Sequence, residues 1–331
     1  MDINLNKWHR CKVDRATFSK LCEKSNWQGS KHICIYFLSL FIFGYLAYYS
    51  WGTWWSILWF LIYGNIYACS NPIWHETGHR TAFKTNLLND IFYQIGSFMN
   101  NFEPTRWRWS HFHHHSYTLS TKDPYDYEIQ VTKPTDLLFI VIHILPFGKL
   151  FFLHRFQQFE TLKHALGITT DVMKECIPEK QRGKCRVIAR IHVSIWLLVI
   201  FAAIFYKSWL PILYILLPAH YGNSLFEIFG ITQHAGLLNN CKDHRLSTRD
   251  VYLNPVFSFL YWHMEYHIEH HMFPTVPSYN LSKLHVLIKD QIPPSKIGLW
   301  DAYKEIIPAI IKQSKNPNYQ INITLPKSSK L

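Results

Sequence analysis

The sequence predicts an all-α integral membrane protein, with about four transmembrane helices in two hairpins and a helical cap on the cytosolic side. Three observations carry that prediction. Apolar runs come in two close pairs, at about 33–49 with 54–69 and at about 191–206 with 209–228. Aromatic residues reach 17% of the chain, with 13 Trp and 19 Tyr, a density suited to membrane–water interfaces. Lys and Arg, which give a net charge of +12, concentrate outside the two pairs, as cytosolic segments require.

Residues 1–30 are basic and carry no long apolar run, so they predict a cytosolic lead-in with a short interfacial helix and no signal peptide. The main domain then spans 31–311. Its first run, 33–49, has no charged residue and ends beside Trp51, Trp54 and Trp55. The uncharged turn before 54–69 is so short that a tight hairpin follows, with that turn on the non-cytosolic side. The stretch 86–102 is apolar but interrupted by Asp90 and Gln94, and predicts a surface helix. Residues 137–153 are broken by Pro146, Gly148 and Lys149, and predict a helix lying in the interface. The run 191–206, the turn Lys207-Ser208 and the run 209–228 make the second hairpin. The tail 312–331 is polar and predicts a loose end. Seven scattered cysteines without a Cys-x-x-Cys pair argue against a disulfide framework or a cysteine zinc site. The basic charge comes with no nucleic-acid motif, and the apolar runs point instead to a basic face on an anionic membrane.

The chemistry is carried by histidine. His267, His270 and His271 stand at i, i+3 and i+4 within Tyr266-His267-Ile268-Glu269-His270-His271-Met272-Phe273-Pro274. His111, His114 and His115 repeat that spacing, and His75 and His79 stand at i and i+4. On a helix each set shares one side, and neutral imidazole is the commonest protein metal ligand. A catalytic zinc needs about three protein ligands, so these eight are enough for two metals with open positions. His75-Glu76-Thr77-Gly78-His79 also has the His-Glu-x-x-His spacing of zinc proteases, but that reading leaves six histidines unexplained. If the three boxes form one site they face one side of the membrane. A second hairpin between boxes two and three satisfies this, whereas a full crossing at 137–153 would not.

The three boxes, His75-Glu76-Thr77-Gly78-His79, His111-Phe112-His113-His114-His115 and Tyr266 through Pro274, resemble those of the membrane fatty acid desaturase family. Asp123-Pro124, Val276-Pro277 and Leu281-Ser282-Lys283-Leu284-His285 resemble it too, and the resemblance covers roughly residues 40 to 290. It implies a non-haem di-iron enzyme on the cytosolic face that uses O2 and two electrons to remove hydrogen from an unactivated C–H bond. Carried over by position, the iron ligands are His75, His79, His111, His114, His115, His267, His270 and His271. The family usually has one more histidine between the last span and box three, and His234 fits that place.

Asn223, Glu227 and His234 fall at i, i+4 and i+11, one helical stripe, and a carboxylate in an apolar span is a functional candidate by default. The stripe is expected to orient the ligands from behind. His263, four before His267 where relatives often carry Asn, is assigned the same supporting role, and His113 lies off the shared side of box two. The other histidines, His285 among them, default to structural roles.

The expected activity is introduction of a double bond into a fatty acyl chain held in an apolar tunnel. Trp107 and Trp109 before box two leave room for a hydroxylase acting on another lipid, an alkane, a carotenoid or a small amphiphile. A non-catalytic metal-binding protein or transporter is the reading from another class, but a transport site lies near the midplane, inside the spans. No Gly-rich dinucleotide fingerprint and no fused cytochrome b5-like domain occurs, so a separate ferredoxin or cytochrome b5 is the implied electron donor.

Overall fold

A computed structural model describes residues 7–128, 141–148 and 157–326. Among these the regular structure is almost all helix, and the one sheet is the two-residue parallel pairing of Val251–Tyr252 with Lys296–Ile297. Among the described residues, two helices are long and apolar enough to cross a membrane, Asn26–Tyr49 and Glu179–Phe205. The second exposes Leu197, Leu198, Phe201, Ile204 and Phe205, a continuous apolar surface of the kind that lipid covers.

Both helices start earlier than their apolar runs. Ser25 caps the first, its hydroxyl accepting from Gln28 N, so the helix takes in the polar stretch 26–32. The second begins at Glu179, and its polar first turns reach into the cap, where the Cys185 thiol donates to Glu103 Oε2. The lead-in carries the expected short helix, Arg15–Leu21, capped by Asp14.

The other two predicted spans differ from expectation. Trp54–Ala68 has 15 residues, short of the roughly 20 of a perpendicular crossing. Residues 209–228 are not one helix. They divide into a π-helical turn, Ile212–Leu216, a short helix, Pro218–Tyr221, and the start of a third helix, Ser224–His234. Pro218 has no N–H to continue the ladder. The carbonyls that the break exposes are taken by tyrosines: Tyr63, Tyr67 and Tyr221 donate to the carbonyls of Tyr214, Ile215 and Leu213 at 2.9–3.1 Å. At the break the chain presses on Trp54–Ala68 through glycine. A Cβ on Gly222 would sit 1.9 Å from the Gly64 carbonyl carbon. Gly222→Ala is therefore expected to lower the melting temperature of the purified protein, at a cost of at least the 1–3 kcal/mol typical of overpacking. Unchanged melting would show that the two segments do not meet there.

Around these helices lies the cap. Box one forms Asn71–Gly78, packed on Asn86–Met99, with a Cβ-free Gly96 against Trp74. Box two forms Pro104–Ser116, started by Glu103, whose carboxylate accepts from Thr105 N and Arg106 N. Box three is the short helix His267–Met272. Most of 137–153 lies outside the described residues. Within 141–148, one helical turn is followed by Phe147, whose N–H donates to His220 O at 3.0 Å. The tail is less loose than its composition predicts. The helix Gly298–Lys315 includes its first residues, and Ile321 N donates to Gly236 O at 2.8 Å.

Candidate metal centre

The nine histidines singled out in the sequence fall into two groups, each with its ligand atoms within 4.8 Å of one another. His75, His79, His111, His115 and His270 form the first, and His114, His234, His267 and His271 the second. The split follows from helix geometry. At 100° per residue, positions i and i+4 lie about 40° apart, while i+3 lies about 60° to the other side of i. So His111 and His115 stay together while His114 turns to the second group. Box three does the reverse: His267 and His271 join the second group and His270 crosses to the first. Each of these helices thus serves both groups.

Inside each group the Nε2 atoms converge. His111 Nε2 lies 2.9 Å from those of His79 and His115. His267 Nε2 lies 2.9 Å from that of His234 and 3.1 Å from that of His271. Four of the opposite nitrogens are tied to acceptors. His111 Nδ1 donates to Glu128 at 2.9 Å, His114 Nδ1 to Asp126 at 2.8 Å and His234 Nδ1 to the Ser247 carbonyl at 2.9 Å. The Thr118 hydroxyl donates to His114 O and accepts from His271 Nδ1 at 3.3 Å. With Nδ1 protonated in this way, Nε2 carries a lone pair directed at its neighbours. Such pairs repel unless a cation lies between them, so the donor set fits a pair of metal ions.

Electrostatics agree. Burial pushes His75, His111, His115, His267, His270 and His271 well below the usual histidine range, and takes His79 to about 4 and His234 to about 3. These imidazoles are neutral at pH 7, the form that binds metal. At His114 burial works the same way, but Asp126 outweighs it and raises the imidazole.

The remaining predicted residues separate. Asn223 Nδ2 donates to Glu227 Oε1 at 2.5 Å, and both line a cavity of about 1110 Å³ with His75, His111, His114, His234 and His267. His263 is elsewhere. The box-three helix begins only at His267, and both Trp262 and His263 have positive φ, so no helical stripe joins 263 to 267. His263 Nδ1 bonds Ser258 Oγ at 2.9 Å, and the ring lines a different pocket. His113 packs on Tyr117, ring centroids 4.7 Å apart. Trp107 stacks on His111 at 4.3 Å, which gives that residue a positioning role.

Sequence reasoning missed the acceptors. Asp126 and Glu128 are two of the three carboxylates that follow box two, close after the Asp123-Pro124 turn, and that proximity was the available signal. It also missed the use of the box glutamates. Glu76 Oε1 accepts from Ser278 N at 3.0 Å, which removes it from the general-base place of a zinc protease. Glu269 accepts from His285 Nδ1 at 2.6 Å, while Asp250 Oδ1 accepts from Ile268 N at 2.8 Å in the first turn of the box-three helix. Asp250, Glu269 and His285 form a third buried group. Burial works against charge on His285, but hydrogen bonds to Asp250 and Glu269 raise it to about 11. This ionic group anchors the helix that carries His267, His270 and His271.

No curated protein matches the sequence. The family model described as fatty acid desaturase matches residues 23–303, most of the chain. With its boxes gathered on one cap and its match running through all of them, the chain belongs to the fatty acid desaturase family.

Proposed function

We propose that this protein is an O2-dependent di-iron oxidoreductase that introduces a double bond into a fatty acyl chain. The observation that carries this reading is the five-and-four division of buried imidazoles beside a cavity large enough for a lipid chain. Iron suits such a set, because imidazole is a good iron ligand and the absence of thiolates disfavours structural zinc. Bound there, two iron ions would supply the O2-dependent removal of hydrogen from an unactivated C–H bond. The chain's own residues do the rest. Glu128, Asp126, Ser247 and Thr118 hold four of the imidazoles by their outer nitrogens, and the Asp250–Glu269–His285 group holds the box-three helix.

In this reading the protein is a multi-pass membrane protein with its boxes and both termini in the cytosol. Asn26–Tyr49 and Glu179–Phe205 are its long spans, and Trp54–Ala68 and the broken 209–228 segment return the chain. Electrons come from a separate ferredoxin or cytochrome b5, drawn to the basic cap by charge.

One observation favours a second reading. The cavity is not the apolar tunnel the sequence suggested: Asn100, Asn101, Arg106, His220, Asn223 and Glu227 line it beside Phe226, Tyr261 and Met264. Polar walls cost an all-methylene chain its fit and suit an amphiphile, hydroxylated by the same site. Products formed by the reconstituted enzyme under ¹⁸O2 decide. A product two hydrogens lighter and free of label is the expected result; a stable product carrying one ¹⁸O establishes hydroxylation instead.

A further inference from the structure

A second, smaller pocket of about 190 Å³ opens where the first long helix meets the turn before box three. Gln28, Lys31 and His32 line it from the helix, Trp262 and His263 from the turn, and Tyr279 from the segment after box three. The turn separates two chambers. Tyr261 and Met264 line the metal-centre cavity, whereas Trp262 and His263 between them line this pocket.

Three features show that the pocket is built rather than left over. The first is backbone conformation. Trp262 has φ +53° and His263 φ +59°, a left-handed pair that is unfavourable for bulky residues and persists where surrounding structure enforces it. The second is unsatisfied polarity. The indole N–H of Trp262, a residue only 2% exposed, has no hydrogen-bond partner among the described residues, and neither has His32 Nε2. An indole N–H can only donate, so what it lacks is an acceptor. The third is charge. Lys31 is cationic, and no carboxylate is among the lining residues. Glu265 stands behind the wall, accepting from Ser258 Oγ, which in turn accepts from His263 Nδ1. That leaves Nε2 as the nitrogen of His263 with no tie to the wall.

The helix fixes the pocket's level. Lys31 and His32 lie in the first two turns of a helix long and apolar enough to span a bilayer, with Trp27 exposed at its start. Exposed Trp and Lys at a span's end mark the headgroup layer. We propose that this pocket binds a phosphate group, and that the phosphate belongs to a membrane-lipid headgroup. The phosphate accepts a charge-assisted hydrogen bond from Lys31 and meets His263 at Nε2, the nitrogen that the wall leaves free. Bound lipid would clamp the first long helix to the turn that leads directly into His267, linking bilayer contact to the box-three helix.

The test uses the full chain in neutral detergent, free of phosphate and lipid. Short-chain phosphatidic acid, the matching diacylglycerol and inorganic phosphate are each titrated while thermal melting is followed, with bound lipid counted by native mass spectrometry. Phosphatidic acid is expected to stabilise saturably and diacylglycerol not. Lys31→Ala and His263→Asn, whose ligand-free melting reports whether they fold, are each expected to raise its apparent Kd roughly ten-fold. Metal content should stay at the wild-type level in both. Equal stabilisation by diacylglycerol, or titrations unchanged in both variants, would overturn the pocket. Inorganic phosphate acting alone at the same concentrations as phosphatidic acid would overturn the lipid source.

Discussion

Purified His234→Ala is expected to lose iron from the second group and to fall at least a thousand-fold in turnover, while iron at the first group is retained. The wild type should carry about two iron atoms per chain, and the variant about one, since each ion needs several ligands. His234 Nε2 lies 2.9 Å from His267 Nε2, and its ring centroid is 5.1 Å from those of both His114 and His271. Removing it leaves three imidazoles in that group against five in the other. Circular dichroism controls for folding, because the residue is buried at the end of Ser224–His234. His263→Ala is the contrast, with no ligand position to lose. Metal analysis of both variants checks the assignment. Two irons retained in His234→Ala would remove that histidine from the centre, and one stoichiometric zinc in the active wild type would remove the di-iron reading altogether.

The positions of the eight box histidines were legible because helix spacing is written directly in sequence. Two imidazoles at i and i+4 declare a shared direction whatever lies around them. His234 was legible only through resemblance, since a lone histidine carries no spacing of its own. Its geometry explains the resemblance: in the second group it stands where the box-one pair stands in the first. Which box serves which group was also implicit in the 100° step, but reading it requires knowing that two sites exist. Other features were written in tertiary contacts. The break in 209–228 depends on Gly222 meeting Gly64 and on tyrosines reaching across from Trp54–Ala68, and an apolar run says nothing of either. His263 was misread because a stripe was extended through a stretch whose backbone is left-handed. Periodicity presumes a helix and cannot report where one has not yet begun.

Asp126→Asn is expected to weaken metal binding at the second group by ten- to a hundred-fold, and Glu128→Gln to do the same at the first. Asp126 is fully buried, and each of its oxygens is used. Oδ2 accepts from His114 Nδ1 at 2.8 Å and from Leu119 N at 2.9 Å, and Oδ1 accepts from Glu128 N at 3.0 Å. One carboxylate thus shapes the loop after box two and fixes which nitrogen of His114 faces the metal. Asparagine keeps the volume but has one acceptor oxygen for these donors and no charge to support a ligand imidazole. Loss of such an outer partner typically costs ten- to a hundred-fold in metal affinity or activity. Glu128 takes His111 Nδ1 through both oxygens, at 2.9 and 3.0 Å, so its effect belongs to the other group. The discriminating measurement is a chelator titration with two resolved metal-loss phases. Each variant should shift a different phase to lower chelator concentration and leave the other in place. If both variants shift the same phase, the two groups share one metal site, and the division of box two between them has no chemical meaning.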